Sequence, residues 1–140
     1  MTKLIYPDLS YKITGLLFQV HNKLGRFRKE KYYCNYFENM LKVSELNYER
    51  EKSILLENQR NADRVDFCIE GKILIDFKNK KFITKTDYFQ MINYLKALNL
   101  KLGLIVNFRN TYLKPKRVVN LHLGENYDIF IFISKFVCYS

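Results

Sequence analysis

The sequence predicts an α/β fold, a mixed central β-sheet flanked by helices in the order α-α-β-β-β-α-β-β. Three features predict it. Two helical apolar stripes occupy the first third of the chain. Short β-prone segments then surround a Glu70-Gly71 turn. A third amphipathic stripe separates these from a later run that reads as a buried strand.

The first helix can start at Pro7-Asp8 or Ser10, and Ile13, Leu16, Leu17, Val20 and Leu24 follow helical spacing up to the natural stop Gly25. After a basic connection, a second helix is expected over residues 30–46, with Tyr33, Phe37, Met40 and Leu41 as its stripe. Residues 53–57 are a candidate strand, and residues 64–69 and 72–78 flank Glu70-Gly71 as a hairpin. Thr84 or Thr86 can cap a third helix that buries Tyr88, Met91, Ile92, Leu95 and Leu98. Residues 102–108 read as a buried strand, a loop around Pro115 follows, and the apolar stretch 127–137 is expected to be the last strand.

The 140 residues are expected to form one domain, residues 1–140, and at 48% apolar and 27% charged the chain is that of a folded protein. No apolar run reaches the roughly 20 residues of a membrane-spanning helix, so no membrane partner is expected. The opening residues lack the order of a secretory signal, and Cys34, Cys68 and Cys138 show no zinc-like spacing, so a reduced, cytoplasmic setting is the expectation. Twenty-four basic against 14 acidic residues leave a charge of +10, which favours a polyanionic partner. The basic residues gather in 23–31 and 78–85, beside the acidic candidates. Arg26, Arg28, Lys29, Lys80, Lys81 and Lys85 are accordingly candidate phosphate contacts, although solvated charge runs are common.

The hairpin carries the chemistry. A two-residue loop would set Asp66 against Ile75 and send Asp76 to the other face. A left-handed bulge at Gly71 makes the loop odd and sets Asp66 directly across from Asp76. The odd register is the expectation adopted, and it brings Lys78 onto the face of both carboxylates. Paired carboxylates repel and raise the affinity for a proton or cation. Oxygen-only ligation suits Mg²⁺ or Mn²⁺ better than zinc. A D-x-K triplet alone is more often an exposed ion pair. Here Asp76 interrupts Ile73-Leu74-Ile75-Asp76-Phe77, whose neighbours want burial, so its carboxylate needs a partner or an ion.

The chain resembles the GxxExxY proteins, a branch of the PD-(D/E)XK nuclease superfamily. Glu30-Lys31-Tyr32-Tyr33 is similar to the E-x-x-Y portion, Arg64-Val65-Asp66 stands at the first nuclease aspartate, and Ile75-Asp76-Phe77-Lys78 is similar to the (D/E)-x-K element. The segment from Gln90 to Leu95 resembles the helix that follows. Phe27 replaces the glycine that opens the family motif, and Val65 the proline before the aspartate. The resemblance implies a restriction-endonuclease-like core, with Glu30, Asp66 and Asp76 as metal ligands, Lys78 as the catalytic lysine and Gln90 in support.

The function expected is a Mg²⁺- or Mn²⁺-dependent nuclease acting on nucleic acid, with DNA favoured. The alternatives are a nuclease scaffold that binds nucleic acid without turnover, or a protein-interaction subunit whose stretch 127–137 pairs across a homodimer or with a partner.

Overall fold

A computed structural model describes residues 4–121. The elements are α1 (Pro7–Leu24), α2 (Glu30–Val43), β1 (Tyr48–Ile54), β2 (Asp63–Ile69), β3 (Ile73–Lys78), α3 (Lys85–Leu98), β4 (Leu102–Asn107) and β5 (Lys116–Val119). The five strands form one mixed sheet in the order β1-β2-β3-β4-β5. β1, β2 and β3 are an antiparallel meander. β3 and β4 run parallel because α3 carries the chain back between them, and β5 returns antiparallel to β4.

The helices take opposite faces. α1 and α2 bury Ile13, Leu17, Val20, Tyr33, Phe37 and Leu41 against Phe67, Ile75, Phe77, Leu104 and Val106. α3 buries Tyr88, Met91, Tyr94 and Leu95 against Leu74, Ile105 and Val118. β4 is buried at every position, as a strand flanked on both sides and covered on both faces should be. No helix among the described residues is long and apolar enough to cross a membrane.

Local signals set most boundaries. Pro7 opens α1, and Gly25 closes it at φ 77°, donating its N–H to His21 O at 2.8 Å. Thr84 and Asp87 form a reciprocal capping box at the start of α3. α2 ends at Val43, three residues short of the expected 46, and Glu45 follows with a positive φ of 59°.

Two strands depart from expectation. β1 covers Tyr48–Ile54 rather than 53–57. It is an edge strand rich in charge, paired only with β2, so no apolar alternation marked it. β5, Lys116–Val119, lies where a loop was expected; four residues, two of them cationic, are too short for a period to show. The stretch 127–137, expected as the last strand, lies outside the described residues.

Gly103 brings α3 close to the sheet: a Cβ there would stand 2.5 Å from Met91 Sδ. Gly103→Val should therefore lower stability by about 1–3 kcal/mol through overpacking. Urea unfolding measures it, and an unchanged midpoint would show that Met91 moves aside freely.

Candidate active site

The hairpin turn joins β2 to β3 through residues 70–72. Glu70 and Gly71 have φ of 54° and 63°, and Lys72 N–H donates to Ile69 O at 2.9 Å. Positive φ at both central residues is the sign pattern of a type I′ turn. Lys72 is nevertheless left over, because the ladder pairs Ile69 with Ile73, Cys68 with Leu74 and Phe67 with Ile75. The next step of this odd register sets Asp66 across from Asp76.

β2 bends at Asp66. Val65 and Phe67, two residues apart, would share a face of a flat strand. Instead Val65 packs with the α3-side core and Phe67 with the α1/α2-side core. On β1, Arg50 pairs with Phe67 and Lys52 with Val65, while Glu51 between them has φ 53°. The bend leaves the Asp66 carboxylate in the gap between β2 and β3. There Phe77 N–H donates to its Oδ2 at 2.6 Å, in place of a backbone ladder bond.

Asp66 and Asp76 are electrostatic neighbours. Burial, opposed by the Phe77 N–H but reinforced by the charges of Asp76 and Glu30, pushes the Asp66 carboxyl up to about 7. Asp76 and Lys78 alternate with Ile75 and Phe77 on β3 and so face α3. Lys78 Nζ lies 3.0 Å from Asp76 Oδ2 and 4.0 Å from Asp87 Oδ1. Burial works against the Lys78 charge, but Asp76 and Asp87 outweigh it and raise the pKa. Lys78 is an ammonium at every physiological pH, a donor and not a base.

Glu30 stands exposed in the first turn of α2. Crowding of its carboxyl and the charge of Asp76 raise its pKa against the pull of Lys78 and the Asn79 N–H, with solvent limiting the effect. Glu30 thus shares the electrostatic field of Asp76 and Lys78. Among the described residues, no group of three His, Cys, Asp or Glu side chains is arranged to hold one ion. What the chain offers a cation is the pair Asp66 and Asp76, with Glu30 at the rim. Their hard oxygens, and an Asp66 carboxylate with no cationic side chain beside it among the described residues, fit Mg²⁺ or Mn²⁺, which take one or two carboxylates and keep several waters.

Gln90 is exposed on α3, one turn beyond Asp87, apart from these contacts. Of the basic candidates, Lys80 is committed to Asp87 Oδ2 at 2.6 Å, and Arg26 Nε donates to Arg109 O at 2.7 Å. Arg28, Lys29, Lys81 and Lys85 are exposed.

Several residues around the site escaped the sequence reading. Asp87 is buried, and Thr84 N–H and Oγ1–H donate to its Oδ2 at 2.8 and 3.1 Å. Burial opposes its charge, yet the Lys80 and Thr84 hydrogen bonds hold its pKa below the ordinary value. The spacing Thr84-x-x-Asp87 was the available signal. Asn79 Nδ2 donates to Arg26 O at 3.1 Å and Arg28 O at 2.6 Å, and its Oδ1 accepts from Arg109 Nε at 2.7 Å. Asn107, at the end of β4, bonds both backbone groups of Lys80. Tyr33, read as core, is fully buried and stacks on Phe108 at 4.1 Å; its hydroxyl donates to Gly25 O at 2.6 Å and accepts from Arg28 N–H at 3.1 Å.

The family model described as the PD-(D/E)XK nuclease superfamily matches residues 7–119 of the chain. Among solved structures, the crystal structure of SSO0001 is similar at 17% identity and a TM-score of 0.44, the match covering 76% of this chain and 65% of that one. The chain thus spans just under two thirds of that protein's length. No curated protein matches the sequence significantly.

The Asp66 shift has a consequence for stability. A carboxyl raised from about 3.9 to about 7 binds its proton more tightly in the fold than in the unfolded chain. That contribution is fully present below about pH 4 and is lost as pH rises through about 7. With a chelator present, wild-type stability should fall between pH 5 and pH 8. Asp66→Asn, which still offers an oxygen to Phe77 N–H, should remove that fall and exceed wild type at pH 8 by about 1 kcal/mol. Parallel pH profiles for the two proteins in denaturant titrations would contradict this account.

Proposed function

This chain belongs to the PD-(D/E)XK nuclease superfamily, and from that premise we propose that it is a metal-dependent nuclease hydrolysing phosphodiester bonds of nucleic acid, with DNA the favoured substrate. The observation that carries the reading is the meeting of three side chains at the β2–β3 pairing: the Asp66 carboxylate, held by Phe77 N–H at 2.6 Å, beside Asp76 and Lys78, whose carboxylate and ammonium stand 3.0 Å apart.

In this reading Asp66 and Asp76 hold Mg²⁺ or Mn²⁺, and Glu30 adds a ligand or a bridging hydrogen bond from the start of α2. A bound cation of this class polarises a phosphodiester and lowers the pKa of a coordinated water. Lys78, kept charged by its two aspartate neighbours, donates to the attacking water or to a phosphate oxygen that gains charge. Asp87 and Lys80 fix where that ammonium sits. In the same reading Gln90 supports the site from α3, and the exposed Arg28, Lys29, Lys81 and Lys85 neutralise flanking phosphates.

Within the superfamily we place the chain with the GxxExxY proteins. Glu30 and Tyr33 give that likeness a physical sense: one helical turn aims the carboxylate toward the site, while the Tyr33 hydroxyl anchors the preceding loop through Gly25 and Arg28.

One observation favours a second reading, a nuclease scaffold that binds nucleic acid without cutting it: the lack of a three-carboxylate cluster among the described residues. A single set of measurements separates the two. Titration calorimetry with Mn²⁺ should give binding to wild type and at least tenfold weaker binding to Asp76→Ala. On a mixed panel of DNA and RNA substrates, Asp76→Ala and Lys78→Ala should each lose 100-fold or more in cleavage rate, with circular dichroism spectra unchanged. Asp76→Ala cutting at the wild-type rate would end the mechanism. Binding without any cation-dependent cutting by wild type would establish the second reading.

A further inference from the structure

Next to the loop before α2 lies a cleft of about 650 Å³ whose walls combine rings and cations. Phe27, Phe82 and Tyr112 line it, and they are 73%, 75% and 81% exposed. Large rings left in water cost free energy that packing could have recovered, so three gathered around one cleft are informative. Arg26, Lys81, Arg109 and Lys114 line the same cleft, and no acidic residue does.

The cleft leads toward Glu30, at the rim of the candidate site. A neighbouring depression shares Phe27 and Arg109 with it and reaches Glu30. The platform is also held in place. The guanidinium carbons of Arg26 and Arg109 lie 5.1 and 5.3 Å from the Phe27 ring centroid. Asn79 and the Tyr33 hydroxyl bond the backbone on either side of Phe27, at Arg26, Arg28 and Gly25. A ring presented on an immobilised loop pays little further entropy when something stacks on it.

We propose that this cleft binds a nucleic-acid strand with unpaired bases, so that the substrate class of the nuclease is single-stranded or end-frayed nucleic acid rather than uniform duplex. An unpaired strand supplies both features the cleft complements: flat π-faces for Phe27, Phe82 and Tyr112, and phosphates for the four cations. An acidic peptide would satisfy the charges but leave the rings without flat partners. In a closed duplex the base faces are already stacked on one another and cannot reach the rings. The proposal extends the nuclease reading, since the strand would run past Phe27 toward Glu30, Asp66 and Asp76.

Binding is measured by fluorescence anisotropy in EDTA, which separates it from cleavage, with end-labelled oligo-dT, oligo-rU and a blunt duplex of equal length. Wild type should bind at least one single strand tenfold or more tighter than the duplex. The combined variant Phe27→Ala, Phe82→Ala, Tyr112→Ala should lose that preference by tenfold or more, while its duplex affinity changes less than twofold. A wild type that binds duplex as tightly as single strand overturns the proposal, as does an equal loss on all three ligands. Should the triple variant fail to fold, photocrosslinking of 5-iodouracil oligonucleotides to wild type decides the matter. Adducts on Phe27, Phe82 or Tyr112 support the cleft, and adducts confined to other residues overturn it. Asp76→Ala in the same assay keeps the two readings apart. Single-strand preference without any cutting by wild type leaves the cleft and removes the nuclease. Cutting without that preference does the reverse.

Discussion

The turn at residues 70–72 sets where the charged side chains of β3 can point. Because Lys72 is carried as an extra residue, the β2–β3 pairing is odd, and the ladder from Ile69↔Ile73 to Phe67↔Ile75 ends next to Asp66 and Asp76. A two-residue connection would have shifted β3 by one position and sent Asp76 and Lys78 into the α1/α2 core, where Ile75 and Phe77 now lie. The apolar alternation of β3 therefore holds the register from one side, and the positive φ of Glu70 and Gly71 from the other. Asp66 uses the space that opens when β2 bends, and its bond to Phe77 N–H satisfies a backbone donor that the bend would otherwise orphan.

Around this pair the charges are arranged in alternation, Asp76, Lys78, Asp87 and Lys80, each within 4.0 Å of the next. The chain of contacts crosses from β3 to the first turn of α3. Asp87 does two things there. It completes the cap of α3 and supplies the counter-charge that fixes both lysines. The Asp66 carboxyl lies outside that compensation, which is why burial and its neighbours can push its proton affinity up.

A second layer of polar side chains fastens the loops to the sheet ends. Asn107 bonds the backbone of Lys80, Asn79 bonds that of Arg26 and Arg28, and Tyr33 reaches Gly25. These bonds bring the loop before α2 over the end of β3, and with it Glu30 on one side and the exposed Phe27 on the other. Glu30 and the exposed Phe27 are thus presented by the same fastening.

Much of this was legible in the linear chain, because it rests on short-range patterns. The helical stripes of α1, α2 and α3, the stop at Gly25, the all-apolar run of β4 and the odd hairpin around Gly71 are each written within a few neighbouring residues. Asp76 and Lys78 stood out because a carboxylate inside an apolar strand has to be accounted for. Edge strand β1 and short strand β5 left no such mark, since their pairing and not their composition makes them strands. Only the tertiary structure decided that Asp87 belongs beside Lys78, that Asn79 and Asn107 act as staples, and that Phe27, Phe82 and Tyr112 share one cleft. Those residues are separated by up to dozens of positions, and their meeting depends on how the sheet closes, which no local period records.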